Sequence, residues 1–213
     1  MTKQENENTG LNEKKWDSEA DTYDSRYFTF YIRSMQRKIV SLLNFNKNQR
    51  LLDVGCGTGR ALQLASDLVD GQGEFYGIDL SSKMLEVAKS SSSDKNMHFY
   101  KANAEKLPFE DDFFDLIMCC NSFHHYANPN VVLSEMYRVL NSNGRVYILD
   151  ITTDTLFMKI IDKLWRNIEP SHVKQYSTKE YEVLFQKAGL KYIKSTPVVV
   201  GGFVKVHIGE KKN

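Results

Sequence analysis

The chain has 213 residues, enough for one domain with a substantial core. Its net charge of +1 leaves no long-range field to draw it to nucleic acid or to an anionic membrane, and no run of 18 apolar residues or signal-peptide core marks a stable membrane insertion or a leader. Three cysteines, an odd number, argue against a disulfide framework and for a reduced, cytoplasmic protein.

Residues 1–15, "MTKQENENTGLNEKK", are polar with a single Leu and predict a disordered tail. Residues 16–213 then form a single domain. Its first part, 16–48, is read as a helical lid: the aromatic-rich "DSEADTYDSRYFTFY" leads into Ile32, Met35, Ile39, Leu42 and Leu43 at helical spacing. From residue 50 the chain alternates. "RLLDV" is a short buried strand, and Leu62, Leu64, Ala65 and Leu68 mark a helix. "EFYGID" is a second strand, with a helix from Ser81 through Met84, Leu85 and Ala88. "MHFYKA" and "FFDLIMCC" follow as strands three and four. Asn128 and Pro129 fit an N-cap and first helical residue ahead of Val132, Leu133, Met136 and Leu140, and "GRVYILDI" is strand five.

The end of the chain changes character. "STKE", Ser177 to Glu180, is a capping box, with the helix running to Ala188 and Gly189 as its C′ residue. "KYIKSTPVVV" and "FVKVHI" flank Gly201-Gly202 and predict an antiparallel hairpin. The expected fold is α/β, a doubly wound sheet of five parallel strands closed by the hairpin, seven strands in all, with helices on both faces.

"LLDVGCGTGR" places Gly55, Gly57 and Gly59 between strand one and its helix. Such a loop lets a ligand approach the backbone, and the helix N-terminus behind it suits polar or negative groups. The spacing G-x-G-x-G differs from the dinucleotide fingerprint, which disfavours a nicotinamide-dependent oxidoreductase. Asp53, just before the loop, would repel a pyrophosphate and attract a ligand carrying an amine. Asp79 closes strand two, where a carboxylate can take both hydroxyls of a ribose; capping the next helix is the alternative.

Together these residues resemble the class I S-adenosylmethionine-dependent methyltransferases, a Rossmann-like fold, and within them the small-molecule branch of the ubiquinone/menaquinone type. The motifs that carry the resemblance are "LLDVGCGTGR", "GIDLSSKMLEVAK", "ANAEKLPFEDDFFDLIMCCNSFHHYANP" and "EMYRVLNSNGRVYILD", with "HVKQYSTKEYEVLFQKAGL" further on. The resemblance implies a cofactor, S-adenosyl-L-methionine, released as S-adenosyl-L-homocysteine. It implies that the Gly55–Gly59 loop, Cys56 included, wraps the methionine part, with Asp53 on the ammonium side. Asp79 would bind the ribose, with Leu80 and Met84 beside the adenine. Asn103 stands where the family usually has Asp and would meet the adenine amino group through its amide oxygen; Ala104 would offer a backbone N–H. Asn121 and Ser122, at the tip of strand four, would lie near the transferable methyl.

The run "CCNSFHHYANP" invites a metal reading. Cys119 and Cys120 are neighbours on a strand and point to opposite faces, so they cannot readily share one ion with His124 and His125, and no metal is expected. An O–H or N–H acceptor must lose a proton during methylation, and either His124 or His125 can take it as a catalytic base. Tyr23, Tyr27 and Tyr31 from the lid, Asp150 at the tip of strand five, and His172 and Tyr176 after it are candidate acceptor contacts. Residues 151–176 are expected to line the acceptor pocket, which Met158, Ile160, Ile161, Leu164 and Trp165 would make apolar. The expected partner is a small-molecule acceptor and no nucleic acid; an RNA methyltransferase and a cofactor-binding domain without turnover are the competing functions. The sequence leaves the acceptor atom and the oligomeric state open.

Overall fold

Strand β1 (Arg50–Val54) is the third strand across a seven-stranded sheet in the computed structural model, which describes residues 3–24, 29–92, 94–169 and 171–212. The other strands are β2 (Glu74–Asp79), β3 (Met97–Lys101), β4 (Phe114–Cys120), β5 (Leu140–Ile151), β6 (Leu190–Pro197) and β7 (Val204–Lys211). Their spatial order is β3-β2-β1-β4-β5-β7-β6. The first five run parallel to one another, and β7 lies antiparallel between β5 and β6. Chain order reverses between β1 and β4, so a crevice opens beyond their C-terminal ends, where open α/β sheets bind ligands.

The helices are α1 (Lys3–Tyr23), α2 (Thr29–Leu42), α3 (Arg60–Leu68), α4 (Ser82–Ser91), α5 (Pro129–Val139), α6 (Leu156–Ile168) and α7 (Thr178–Lys187). One face of the sheet packs Met35 and Ile39 of α2, Leu62 and Ala65 of α3, and Leu85 and Ala88 of α4. The other packs Leu133 and Met136 of α5 with Leu184 and Phe185 of α7. Along β4 the pleat sends Leu116 and Met118 to the first core and Ile117 and Cys119 to the second, and Phe114, ahead of a register shift, also joins the second. Cys119 and Cys120 thus part to opposite faces, and all three cysteines are free. The capping box at Ser177–Glu180 and the positive φ of 86° at Gly189 bound α7 as the sequence predicts.

Three expectations change. Residues 3–15, expected as part of a disordered tail, belong to α1. The reason is a stripe the aliphatic count misses, since Asn12, Trp16, Ala20 and Tyr23 recur at helical spacing and Asn12 and Ala20 are buried. The segment 16–48, expected as one helical lid, holds two helices among the described residues. It divides into the end of α1, which contacts α4, and α2, whose Met35, Ile39 and Val40 belong to the core. Strand five starts earlier than Gly144, because Leu140 pairs with Phe114 ahead of a register shift. Among the described residues no helix is long and apolar enough to cross a membrane.

Candidate active site

The loop after β1 is fixed by backbone geometry. The amides of Gly55 and Cys56 both donate to the Ile78 carbonyl at 2.9 Å. Gly55 has φ +76°, and a Cβ there would sit 2.5 Å from Ser122 Oγ and 2.9 Å from the Tyr126 hydroxyl, so only glycine fits. Ser122 Oγ and the Tyr126 hydroxyl in turn donate to the Val54 carbonyl at 3.0 and 3.3 Å. The loop of β1 and the turn after β4 are thereby tied together, and Asn121, at φ +54°, brings its side chain to the same seam.

Asp79 organises the next layer. One carboxylate oxygen accepts from the Gly57 amide and the other from the Ser81 amide, each at 2.9 Å. Burial pushes its carboxyl upward against these two bonds. Ser81 caps α4, its Oγ accepting from the Met84 amide at 3.1 Å, and it donates to Asp17 of α1 at 2.6 Å. Gly55, Gly57, Asp79, Met84, Asn121 and Ser122 line one small cavity here. Leu80, Asn103 and Ala104 join Asp79 around its neighbour. The Asn103 amide oxygen accepts from the Glu105 amide at 2.9 Å.

Three predicted cofactor residues stand away from these cavities, and Gly59 faces a separate one with Thr58, Arg60 and Phe99. Cys56 is buried with its sulfur toward the core, where a Cβ on Gly77 would lie 2.7 Å from it; only its backbone belongs to the loop surface. Asp53 is buried, and its Oδ1 has no hydrogen-bond partner among the described residues. Burial, helped by the charge of Asp79, pushes its carboxyl up to about 8. A fully buried, unpartnered carboxyl oxygen beneath a glycine loop is the chemistry that suits a cationic ammonium nearby. With the Asp79 carboxylate facing the cavities, the donor set fits a nucleoside that carries an amine.

A larger cavity of roughly 450 Å³ opens beside the first two, in the range typical of small-molecule sites. Trp16 and His125 line this cavity and both of the first two, so the α1 helix forms their shared wall. Tyr23, Tyr31, His124, Asp150, His172 and Gln175 all reach the large one. Burial raises the Tyr23 phenol to about 12, so it stays protonated.

The two adjacent histidines serve different partners. His124 Nδ1 lies 2.8 and 2.9 Å from the two oxygens of buried Asp150, which also accepts from the His124 amide at 3.0 Å. In the neutral ring, an Nδ1–H donated to the carboxylate leaves the lone pair on Nε2. His125 instead donates Nδ1–H to the Ser171 carbonyl at 2.7 Å, meets Trp16 edge-on at 5.3 Å, and accepts from Asn12 through its carbonyl. Burial first, then neighbouring His124, holds His125 well below the usual imidazole range, so it is neutral. His172 bonds Asp162 through Nε2 at 2.8 Å, and its ring stands 5.2 Å from that of His124.

Tyr176 departs from the expected acceptor contact. It is buried among Phe123 and Tyr181 in the core of the opposite face, because the parallel bridge between Thr152 and Tyr176 sets it against the sheet. Tyr27 lies outside the described residues. Sequence reasoning missed Trp16, Tyr126 and Gln175. Trp16 was legible in the spacing of Asn12, Trp16 and Ala20; nothing local distinguishes Gln175. Among the described residues no group of three or more His, Cys, Asp or Glu side chains is placed to hold a metal ion.

Comparisons with known proteins converge. Residues 45–189 match a family model described as a methyltransferase domain. YcgJ of Bacillus subtilis, named an uncharacterized methyltransferase, is 34% identical over 148 residues, 67% of this chain and 57% of that protein. A demethylmenaquinone methyltransferase of Bacillus licheniformis is 29% identical over 196 residues, 82% of this chain and 84% of that one. The crystal structure of Bacillus subtilis YcgJ superposes with a TM-score of 0.71 at 24% identity, over 84% of this chain and 98% of that one, a likeness of fold.

Proposed function

We propose that this chain, which belongs to the methyltransferase-domain family, uses S-adenosylmethionine to methylate a protic group, or a ring carbon activated by one, on a small, largely apolar aromatic acceptor. The observation that carries the proposal is the Asp150–His124 pair on the wall of the large cavity. The cofactor, when bound, supplies an electrophilic methyl on a sulfonium.

Everything else falls to the chain's own residues. Asp79 would hold the ribose hydroxyls, and Leu80, Met84, Asn103 and Ala104 would surround the adenine. Asp53, Gly55, Gly57 and the backbone of Cys56 would receive the methionine end, with Asn121 and Ser122 at the side facing the acceptor. His124 would take the acceptor's proton at Nε2 while Asp150 holds the imidazole in that tautomer and steadies its charge. His125, neutral and held edge-on against Trp16, positions rather than titrates. Helix α1 excludes water above the site, which favours an in-line displacement. Trp16, Tyr23, Tyr31 and Trp165 supply aromatic walls for the acceptor. Gln175 adds an orienting group, since neither its amide nitrogen nor its amide oxygen has a partner among the described residues. The named activity of the Bacillus licheniformis relative, on a demethylmenaquinone, lies within this acceptor class.

A panel of phenols, hydroquinones, amines and thiols incubated with methyl-labelled cofactor tests the reading. Label should pass to phenolic or hydroquinone oxygen, or to ring carbon activated by such a hydroxyl. Transfer confined to thiols, which ionise more than a pH unit below phenols and lean far less on a base, would overturn the assignment of His124.

A further inference from the structure

We infer that helix α6 is a docking surface for an anionic lipid bilayer, holding the protein at the membrane surface beside its acceptor cavity. The helix is built the wrong way round for an element that packs on its own domain. Leu156, Ile160, Leu164 and Ile168 recur every four residues and form a stripe, with Phe157 beside it. These five are 75, 52, 52, 76 and 68% exposed. Only Asp162 is buried. Its carboxylate bonds His172, the Gln175 amide and Arg166, so α6 is fastened to the domain by a polar contact and turns its apolar side outward. An apolar stripe of this length on the outside of a domain marks a surface that something covers.

Charge identifies the occupant. Lys159 and Lys163 lie to one side of the stripe, and the helix's single acid, Asp162, is buried and paired with Arg166 and His172. A second copy of the helix laid against this face would bring like cations together with no exposed acid on α6 to offset them. A layer of anionic headgroups over hydrocarbon matches both the stripe and its cationic flank, the pattern of a helix lying in a membrane interface. The whole-chain charge of +1 conceals this, because the cations are balanced by acids elsewhere.

The surface also leads somewhere. Trp165 of α6 lines the acceptor cavity, whereas Met158, Ile160, Ile161 and Leu164, expected there from the sequence, do not, so the helix that meets the bilayer reaches the site through Trp165 alone. The hairpin tip, with Val200 97% exposed, is tied to the approach to α6 by the Thr152 amide, which donates to the Phe203 carbonyl at 2.7 Å. Bilayer docking goes beyond the proposed reaction and needs neither cofactor nor acceptor, so its test stands apart from that of the function.

Flotation of the full chain with vesicles decides it. Vesicles of phosphatidylglycerol and phosphatidylcholine should carry about tenfold or more protein than pure phosphatidylcholine vesicles, and salt should weaken the difference. Ile160→Glu with Leu164→Glu should abolish flotation while cofactor affinity and melting temperature stay at the wild-type values. Lys159→Glu with Lys163→Glu should remove the preference for anionic vesicles. Failure of the wild-type protein to float, flotation unaffected by the stripe variants, or a dimer in solution that the stripe variants dissolve would each overturn the proposal.

Discussion

Replacing Asp79 by alanine should weaken S-adenosylmethionine binding by about a hundredfold or more, since two charge-assisted hydrogen bonds at ~1.5 kcal/mol or more each are lost. The side chain does two jobs at once. It takes the amides of Gly57 and Ser81, each at 2.9 Å, and so sets the glycine loop against the N-terminus of α4. It also presents the carboxylate to which the ribose hydroxyls would donate. Alanine leaves both amides without their acceptor and removes the ribose contact. Asp79→Asn keeps the shape and one acceptor oxygen but loses the charge, and should fall between the two. Calorimetry on folded variants reads the effect. Unchanged affinity in Asp79→Ala would remove this residue from the cofactor site.

The second large effect should fall on turnover. His124→Ala is expected to lower kcat by roughly 10²- to 10⁴-fold, the usual range for loss of a general base, with cofactor affinity within about threefold of wild type. Asp150→Asn should lower kcat strongly as well, because its amide nitrogen would donate to His124 Nδ1 and favour the tautomer that carries the proton on Nε2. Asp150 also accepts from the amides of His124 and Ile151, so the melting temperature of that variant must be followed alongside. His125→Asn supplies the contrast. That ring is neutral, bonded to Ser171 and packed on Trp16, so its loss should act on the fit of α1 more than on the proton. Normal turnover in His124→Ala would return the histidine to a packing role and leave the acceptor without an assigned base.

The sheet was legible because its signals are local. The pleat period of β4, the capping box of α7 and the glycines after β1 each report on a few neighbouring residues, and such signals survive without tertiary context. The family motifs placed Asp79, Asn103, Asn121 and Ser122 on cavity walls for the same reason, each lying at the end of a strand or the start of a turn. What the sequence hid is long-range. The α1 helix has little aliphatic surface, and it is held by partners far along the chain: Asp17 by Ser81, Glu13 by Lys101, Lys15 by Glu169. No window of residues contains those pairs, so the segment reads as solvated. The division of labour between His124 and His125 was equally hidden, since it depends on Asp150 and Ser171. Tyr176 was misplaced because its distance from strand five says nothing about which face the bridge to Thr152 turns it toward.

The cofactor site is the claim on which the rest depends, and one titration reaches it most directly. The purified full chain, titrated by calorimetry with S-adenosylmethionine, S-adenosylhomocysteine and NADH, should bind both sulfur nucleosides at micromolar concentration or tighter and show no heat with NADH. Binding of NADH alone would contradict the reading of the glycine loop, and the roles given to Asp53, Asp79 and His124 would go with it.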